Sequence, residues 1–212
     1  MRLFRPGLLA HWLYPEALFR VRTTDKVLYL TFDDGPDPAS TPRLLEILKA
    51  HDIAALFFCN GNSAEKYPDM MIKIRDEGHL TGNHGYNHFD GWRTDPGDYE
   101  NDVNRAANFT SYKLFRPPFG RLSLKQKKFL LKSYKLILWD IMAYDFDPEF
   151  GSKRSLRILK DKIRPGSIIV LHDTSSSCAN IILDEFITFA VTAGYRFDGI
   201  NQADSDLIHH FF

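Results

Sequence analysis

Short apolar runs alternate with amphipathic stretches of helical period along this chain, and that alternation leaves few folds open. The runs 27–32, 54–59, 79–82, 113–116, 135–139, 167–171 and 195–199 concentrate the residue types that favour strands. Between them the spacing predicts helices over 41–51, 64–77, 98–110, 123–133, 152–163 and 179–193, with Thr41 as the expected cap ahead of Pro42. Strands separated by helices pair in parallel through right-handed crossovers. The expected class is therefore α/β, either a doubly wound sheet or a (β/α) barrel of about seven parallel strands, one short of the usual eight.

A chain of 212 residues with 44% hydrophobic side chains suits one domain with a substantial core. Lysine plus arginine equals aspartate plus glutamate at 27 each, so no basic field exists to gather nucleic acid, and none is expected as a partner. Seventeen phenylalanines and nine tyrosines point first to an aromatic core. Cys59 and Cys178 make no disulfide framework, and Cys59, inside an apolar run, reads as a small buried hydrophobe. No stretch is long enough to span a membrane. Residues 1–24 carry early positive charge, but His11, Pro15 and Glu16 interrupt the apolar run that follows. They read as an arm packed on a domain covering 25–200, with 201–212 as a tail. Without a visible export signal the expected compartment is the cytoplasm, the cell envelope being the alternative.

Chemistry-bearing residues recur at one kind of position. Asp33-Asp34, His84, Arg116, Asp140 and His172 each lie at or just past the end of an expected strand. In a barrel those ends open onto a single face, where active sites of such barrels sit. Adjacent strand residues point to opposite sides, so Asp33 and Asp34 divide their work: one can face a metal and the other a reacting atom. His84 and His88, four apart, come to one side in a turn, and two histidines with one carboxylate form an open set for a catalytic divalent metal.

Each residue also has a plain structural alternative. The acid pair could cap a helix or sit in a solvated turn, and Arg116 could be a surface arginine at a strand end. His172 could be a core histidine bonded to a carbonyl. Asp145 and Asp147 could be turn residues ahead of Pro148, the preferred reading for Asp147, while Trp139 reads as core. His51, His79, His209 and His210 stand in no motif and are assigned no function.

Five stretches occur in order: Thr31-Phe32-Asp33-Asp34-Gly35, His84-Gly85-Tyr86-Asn87-His88, Arg116-Pro117-Pro118-Phe119-Gly120, Trp139 with Asp145, and Leu171-His172-Asp173. Together they resemble the polysaccharide deacetylase family (carbohydrate esterase family 4, the NodB-homology domain), over about residues 27 to 200. The resemblance implies a distorted (β/α) barrel and metal-dependent removal of an N-acetyl group from an amino sugar. It implies that Asp34, His84 and His88 hold one divalent metal, usually zinc, with cobalt, manganese or nickel as substitutes. Asp33 is then the general base, Arg116 its holder, His172 the general acid and Asp145 the residue behind it. Phe119, Leu171, Phe146 and Trp139 fall in the substrate-binding set, Phe119 through its backbone N–H and Leu171 at the acetyl methyl.

That chemistry is coherent on its own terms. An amide is a poor electrophile, so a metal that polarises its carbonyl and brings the pKa of a water ligand toward about 7 supplies what it lacks. The departing amine needs a proton, and a histidine beside a carboxylate suits that role. Three positions depart from the family's usual pattern: Gly85 for Ser or Thr, Phe119 for Tyr, and Phe146 for Trp. An N-acetylated carbohydrate is the expected partner. A de-N-formylase of a lipid-linked amino sugar, a cyclic-amide hydrolase and a metal-holding carbohydrate-binding module stand as alternatives. An aspartate-nucleophile phosphatase is disfavoured, because its acids stand one residue apart and the two histidines would have no role.

Overall fold

The computed structural model describes residues 3–111 and 113–200; the expected tail, with His209 and His210, lies outside the described residues. In chain order the elements are α1 (Leu8–Leu13), β1 (Val27–Asp33), α2 (Thr41–Ala50), β2 (Leu56–Cys59), α3 (Gly61–Lys66), α4 (Pro68–Asp76), β3 (Leu80–Asn83) and α5 (Pro96–Ala106). There follow β4 (Leu114–Phe115), α6 (Leu124–Leu130), β5 (Lys135–Leu136), β6 (Ile141–Met142), α7 (Ser152–Lys162), β7 (Ile168–His172), α8 (Ala179–Thr192) and β8 (Arg196–Phe197). The sheet runs in the order β5-β4-β3-β2-β1-β7-β6, with β8 against the start of β1, and its strand pairings are parallel. This is the distorted barrel.

The period of two along the strands separates an inner from an outer side. Leu28, Leu30 and Phe32 of β1 join Phe57, Ile169 and Leu171 in the core beneath α2 and α8, where Leu44, Leu48, Leu183 and Phe186 cover them. The alternate residues Val27 and Tyr29 meet Leu56, Phe58, Leu114, Ile137 and Ile168 on the inner side. Continued up β1, that inner row becomes polar at Thr31 and Asp33. Its register partners place Asp33 beside His172 and Phe58. A third cluster seats the arm, whose Tyr14, Ala17 and Phe19 are buried against Tyr99, Val103, Leu122 and Leu130.

Three local expectations are corrected. The helix expected over 64–77 is two helices, because Pro68 lacks an N–H and disfavours helical backbone at Tyr67, whose ψ is 60°. Thr41 does not cap α2 but begins it, and its hydroxyl donates to the buried Asp173 Oδ2 at 2.6 Å. The strand expected over 135–139 is regular only at Lys135–Leu136, and the chain regains pairing as β6, on the far side of the sheet order. Asp140 therefore precedes a strand. Its N–H donates to Ile168 O and its carboxylate takes Arg164 and Ser167, residues that lead into β7. It belongs to the opposite end from His172 and has no part in the strand-end cluster. Among the described residues no helix is long and apolar enough to cross a membrane.

Candidate active site

Asp33 ends β1 in regular strand geometry, and Asp34 turns the chain out of it with φ 78°. Gly35 is needed at the bend: a Cβ there would lie 2.1 Å from Asp173 Oδ2. His84 follows β3, and His88 ends the next turn at φ 57°. Left-handed backbone costs about 1–3 kcal/mol at a residue with a side chain. Asp34, His88 and Phe119 all adopt it around one mouth, where the fold holds their side chains toward each other.

His84 Nε2 stands 3.5 Å and His88 Nε2 3.2 Å from Asp34 Oδ1, and one atom from each residue lies within 4.8 Å of the others. Two ligands tetrahedrally placed on a cation at about 2.1 Å are themselves about 3.4 Å apart, so this spacing fits a shared ion. Asp34 Oδ1 is buried and has no partner of hydrogen-bond geometry, the state of an acceptor aimed at a cation. His84 Nδ1 donates to the Arg116 carbonyl at 2.7 Å, which leaves the Nε2 lone pair facing Asp34. Burial lowers His84 despite the carboxylates of Asp33 and Asp34, favouring the neutral ring that ligates metals. Burial would raise Asp34, but His88, His84 and His172 outweigh it and hold its carboxyl well below the usual range. These three residues could hold a divalent metal.

Arg116 is wholly buried and crosses the inner side of the barrel. Its Nη1 donates to Asp33 Oδ1 at 2.6 Å and Thr31 Oγ1 at 2.7 Å, and its Nε and Nη2 donate to the carbonyls of Ile137 and Leu138. The Phe58 ring lies 4.3 Å from the guanidinium carbon. It is not a surface arginine. Asp33 Oδ2 stays on the mouth side, 3.9 Å from His84 Nε2.

His172 closes β7 with its Nδ1 3.1 Å from Asp145 Oδ1, while its backbone N–H and the Ser177 hydroxyl donate to Asp145 Oδ2 at 2.7 and 2.6 Å. Burial pulls the imidazole down, but Asp145, then Asp33 and Asp34, outweigh it and raise His172 to about 9. The Phe146 ring stands edge-on to His172 with centroids 4.6 Å apart, and Phe119 stands likewise 4.7 Å from His88. Both phenylalanines are exposed. Leu171 is fully buried in the main core, and Trp139 lies under Gly120, where an added Cβ would come within 2.8 Å of the indole. Asp147 caps a turn, accepting from the N–H groups of Glu149 and Phe150. Cys59 is buried, and burial pushes its thiol up.

Two features went unread in the sequence. An open cavity of about 640 Å³ adjoins the cluster, bordered by Asp34, His88, Asn60, Lys66, Tyr67 and Asp173. None of Phe119, Phe146, Leu171 or Trp139 borders it. Burial, with Asp37 and Asp34 adding and the hydroxyls of Thr41 and Ser40 opposing, raises Asp173 there to about 7. The second is Asp102 of α5, buried beneath the His84–His88 turn. It accepts from Tyr86 N at 2.7 Å, Asn87 N at 3.0 Å and Asn87 Nδ2 at 2.7 Å. Its signal was present, since an acid on the apolar stripe of Tyr99, Val103 and Ala106 is a buried charge in need of partners.

Residues 20–135 match the family model described as polysaccharide deacetylase. A peptidoglycan-N-acetylglucosamine deacetylase of Bacillus cereus is 33% identical over 179 residues, covering 79% of this chain and 64% of that protein. The chain thus spans a little under two thirds of that relative's length. A peptidoglycan-N-acetylmuramic acid deacetylase of Bacillus subtilis is 32% identical over 200 residues, covering 88% of this chain and 74% of the relative. The solved structure of a peptidoglycan N-acetylglucosamine deacetylase, in complex with 4-naphthalen-1-yl-N-oxidanyl-benzamide, superimposes with a TM-score of 0.82 at 29% identity. That likeness covers 89% of this chain and 93% of the other. With the motifs in order, the barrel in place and a relative of this identity over most of its length, the chain belongs to the polysaccharide deacetylase family.

Proposed function

We propose that this chain is a metal-dependent carbohydrate N-deacetylase acting on an N-acetylated amino sugar, with Asp34, His84 and His88 as metal ligands, Asp33 as general base and His172 as general acid. The observation that carries the reading is the meeting of two charge-paired residues, Asp33 with Arg116 and His172 with Asp145, at the mouth where the three ligand-type side chains converge. A divalent cation held there, with zinc preferred and cobalt, manganese or nickel able to stand in, supplies Lewis-acid polarisation of the amide and activation of water.

The chain's own residues do the rest. Arg116 engages Asp33 Oδ1 and leaves Oδ2 to take the proton as water adds to the amide carbon. Asp145 holds His172 by Nδ1, so Nε2–H is free to protonate the nitrogen as the carbon–nitrogen bond breaks. The products are acetate and the free amine. Phe119 and Phe146, edge-on to His88 and His172, flank the acetyl group, with Trp139 beneath Gly120. Leu171, expected at the acetyl methyl, instead faces the core with Phe32, on the side of the sheet opposite His172. The cavity along Asn60, Lys66 and Tyr67 offers room for the sugar. Base, acid and all three ligand residues are present together, which supports turnover over a binding-only module.

The test is acetate release from N-acetylglucosamine oligomers and peptidoglycan fragments, using protein stripped by a chelator and reloaded with each metal. Release that is lost on stripping and restored on reloading is expected. Asp33→Asn should keep its metal and lose about 10²–10⁴-fold in rate. A chain that binds no divalent metal, or an Asp33→Asn protein as active as the parent, overturns the assignment.

A further inference from the structure

Exposed apolar side chains are ordinary when scattered and informative when gathered. Of the twelve large hydrophobics that stand exposed among the described residues, seven fall on α1, on or next to α6, and on the loops joining them to the metal-site mouth: Leu8, Leu9, Trp12, Trp92, Phe119, Leu124 and Leu131. Leu8, Leu9 and Trp12, at 90%, 67% and 76% exposure, follow the i, i+1, i+4 spacing of one helix face, turned away from the core. Lys127 pins α1 to α6, its ammonium donating to Leu13 O at 3.0 Å and pairing with Glu16 at 3.2 Å. Leu13, Tyr14, Trp92 and Leu124 border one depression between them. From Trp92 the Arg121 guanidinium, 5.0 Å from that ring and 5.9 Å from Phe119, carries the surface to the side of His88.

Charge identifies what covers this face. Lys125, Lys128 and Lys132 stand exposed beside Leu124 and Leu131, and among the described residues none has a carboxylate partner. A two-fold dimer through this surface would set the lysine group against its own copy, and lysine is depleted from the cores of protein interfaces. Leucine and tryptophan flanked by unpaired lysines instead match the boundary of a bilayer, where indoles lie at headgroup depth and ammonium groups meet anionic lipid. We propose that the face built by α1, α6 and Trp92 docks on an anionic lipid surface. This face then lies in the lipid boundary, with the mouth beside Phe119 at the edge of the contact. The inference stands on this surface alone and does not depend on the deacetylase reading.

The test is co-sedimentation of the full chain with phosphatidylcholine vesicles, with and without phosphatidylglycerol. Binding is expected with the anionic vesicles, weaker by about a hundredfold without the charged lipid, and falling as salt rises. Leu8→Ser, Leu9→Ser and Trp12→Ser combined should abolish it. Each of Lys125→Gln, Lys128→Gln and Lys132→Gln should weaken it about fivefold. These side chains are exposed, so circular dichroism and metal content should match the parent. Equal sedimentation with and without vesicles overturns the proposal. So does a parent that light scattering finds dimeric and the triple serine variant finds monomeric, because a second copy would then cover the face.

Discussion

The Arg116 carbonyl accepts the Nδ1 hydrogen of His84 at 2.7 Å, while the guanidinium of the same Arg116 donates to Asp33 at 2.6 Å. One residue thus orients a candidate metal ligand through its backbone and the candidate base through its side chain. Ligand and base are mechanically one unit, set by the path of β4 into the Pro117-Pro118 turn.

Arg116→Met should therefore cost stability as well as activity. It leaves the Asp33 carboxylate buried without its countercharge and removes the donors to Thr31, Ile137 and Leu138. Breaking a buried pair from one side costs about 3–5 kcal/mol, readable as a lower midpoint in urea unfolding. Arg116→Lys should recover little, because a single ammonium cannot reproduce the fork. Parental stability in the methionine variant would show that the pair contributes nothing to the fold.

His172 sets a pH limit. Its pKa of about 9 lies above the ordinary 6.5, so protonation adds stability that is complete below about pH 6.5 and is lost as pH rises through 9. As the proposed acid it works only when protonated, so kcat should fall on an alkaline limb, placed below 9 in the metal-loaded protein because a dication at Asp34 opposes the carboxylates that raise His172. Asp145→Asn removes the largest raising influence, and the limb should move toward 6.5. A limb that stays in place in the Asp145→Asn protein assigns the acid elsewhere.

Asp102 should act on the metal without touching it. Asp102→Ala orphans three donors of the His84–His88 turn and should weaken metal binding by about 10–100-fold in a competitive chelator titration. Asp102→Asn, which keeps one acceptor oxygen, should recover part of that loss. A purely structural role would lower apo and metal-loaded melting temperatures equally and leave metal affinity unchanged.

What the sequence disclosed follows from where chemistry meets periodicity. Asp33, His84, Arg116 and His172 were legible because each interrupts an apolar run at its carboxyl end, and parallel strands bring such ends together. Asp140 looked the same and was not. The run before it does not stop at one strand but continues to pair with β7, and only the three-dimensional register shows that Asp140 sits beside Ile168 at that strand's start. The break at Tyr67-Pro68 was readable from proline alone, yet the apolar periodicity on both sides concealed it. The cavity along Asn60, Lys66 and Tyr67 had no such mark, since it is made by α3 and the β1 loop facing each other.

Gly85 yields a prediction that runs against the family's usual residue. It stands where the family usually has Ser or Thr, so by the family's pattern Gly85→Ser is a restoration. Here its φ is 75°, and a Cβ would lie 2.9 Å from Asp102 Oδ2, the oxygen that accepts the Tyr86 N–H. A serine must therefore bear the left-handed backbone cost and displace the carboxylate that braces the turn. Gly85→Ser should lose about 1–3 kcal/mol of stability and bind metal less tightly than the parent. Gly85→Ala should behave the same way, tracing the loss to the Cβ. Were the serine variant more stable, or tighter for metal, the hydroxyl would be bracing the loop after all, and Asp102 would have moved to accept it.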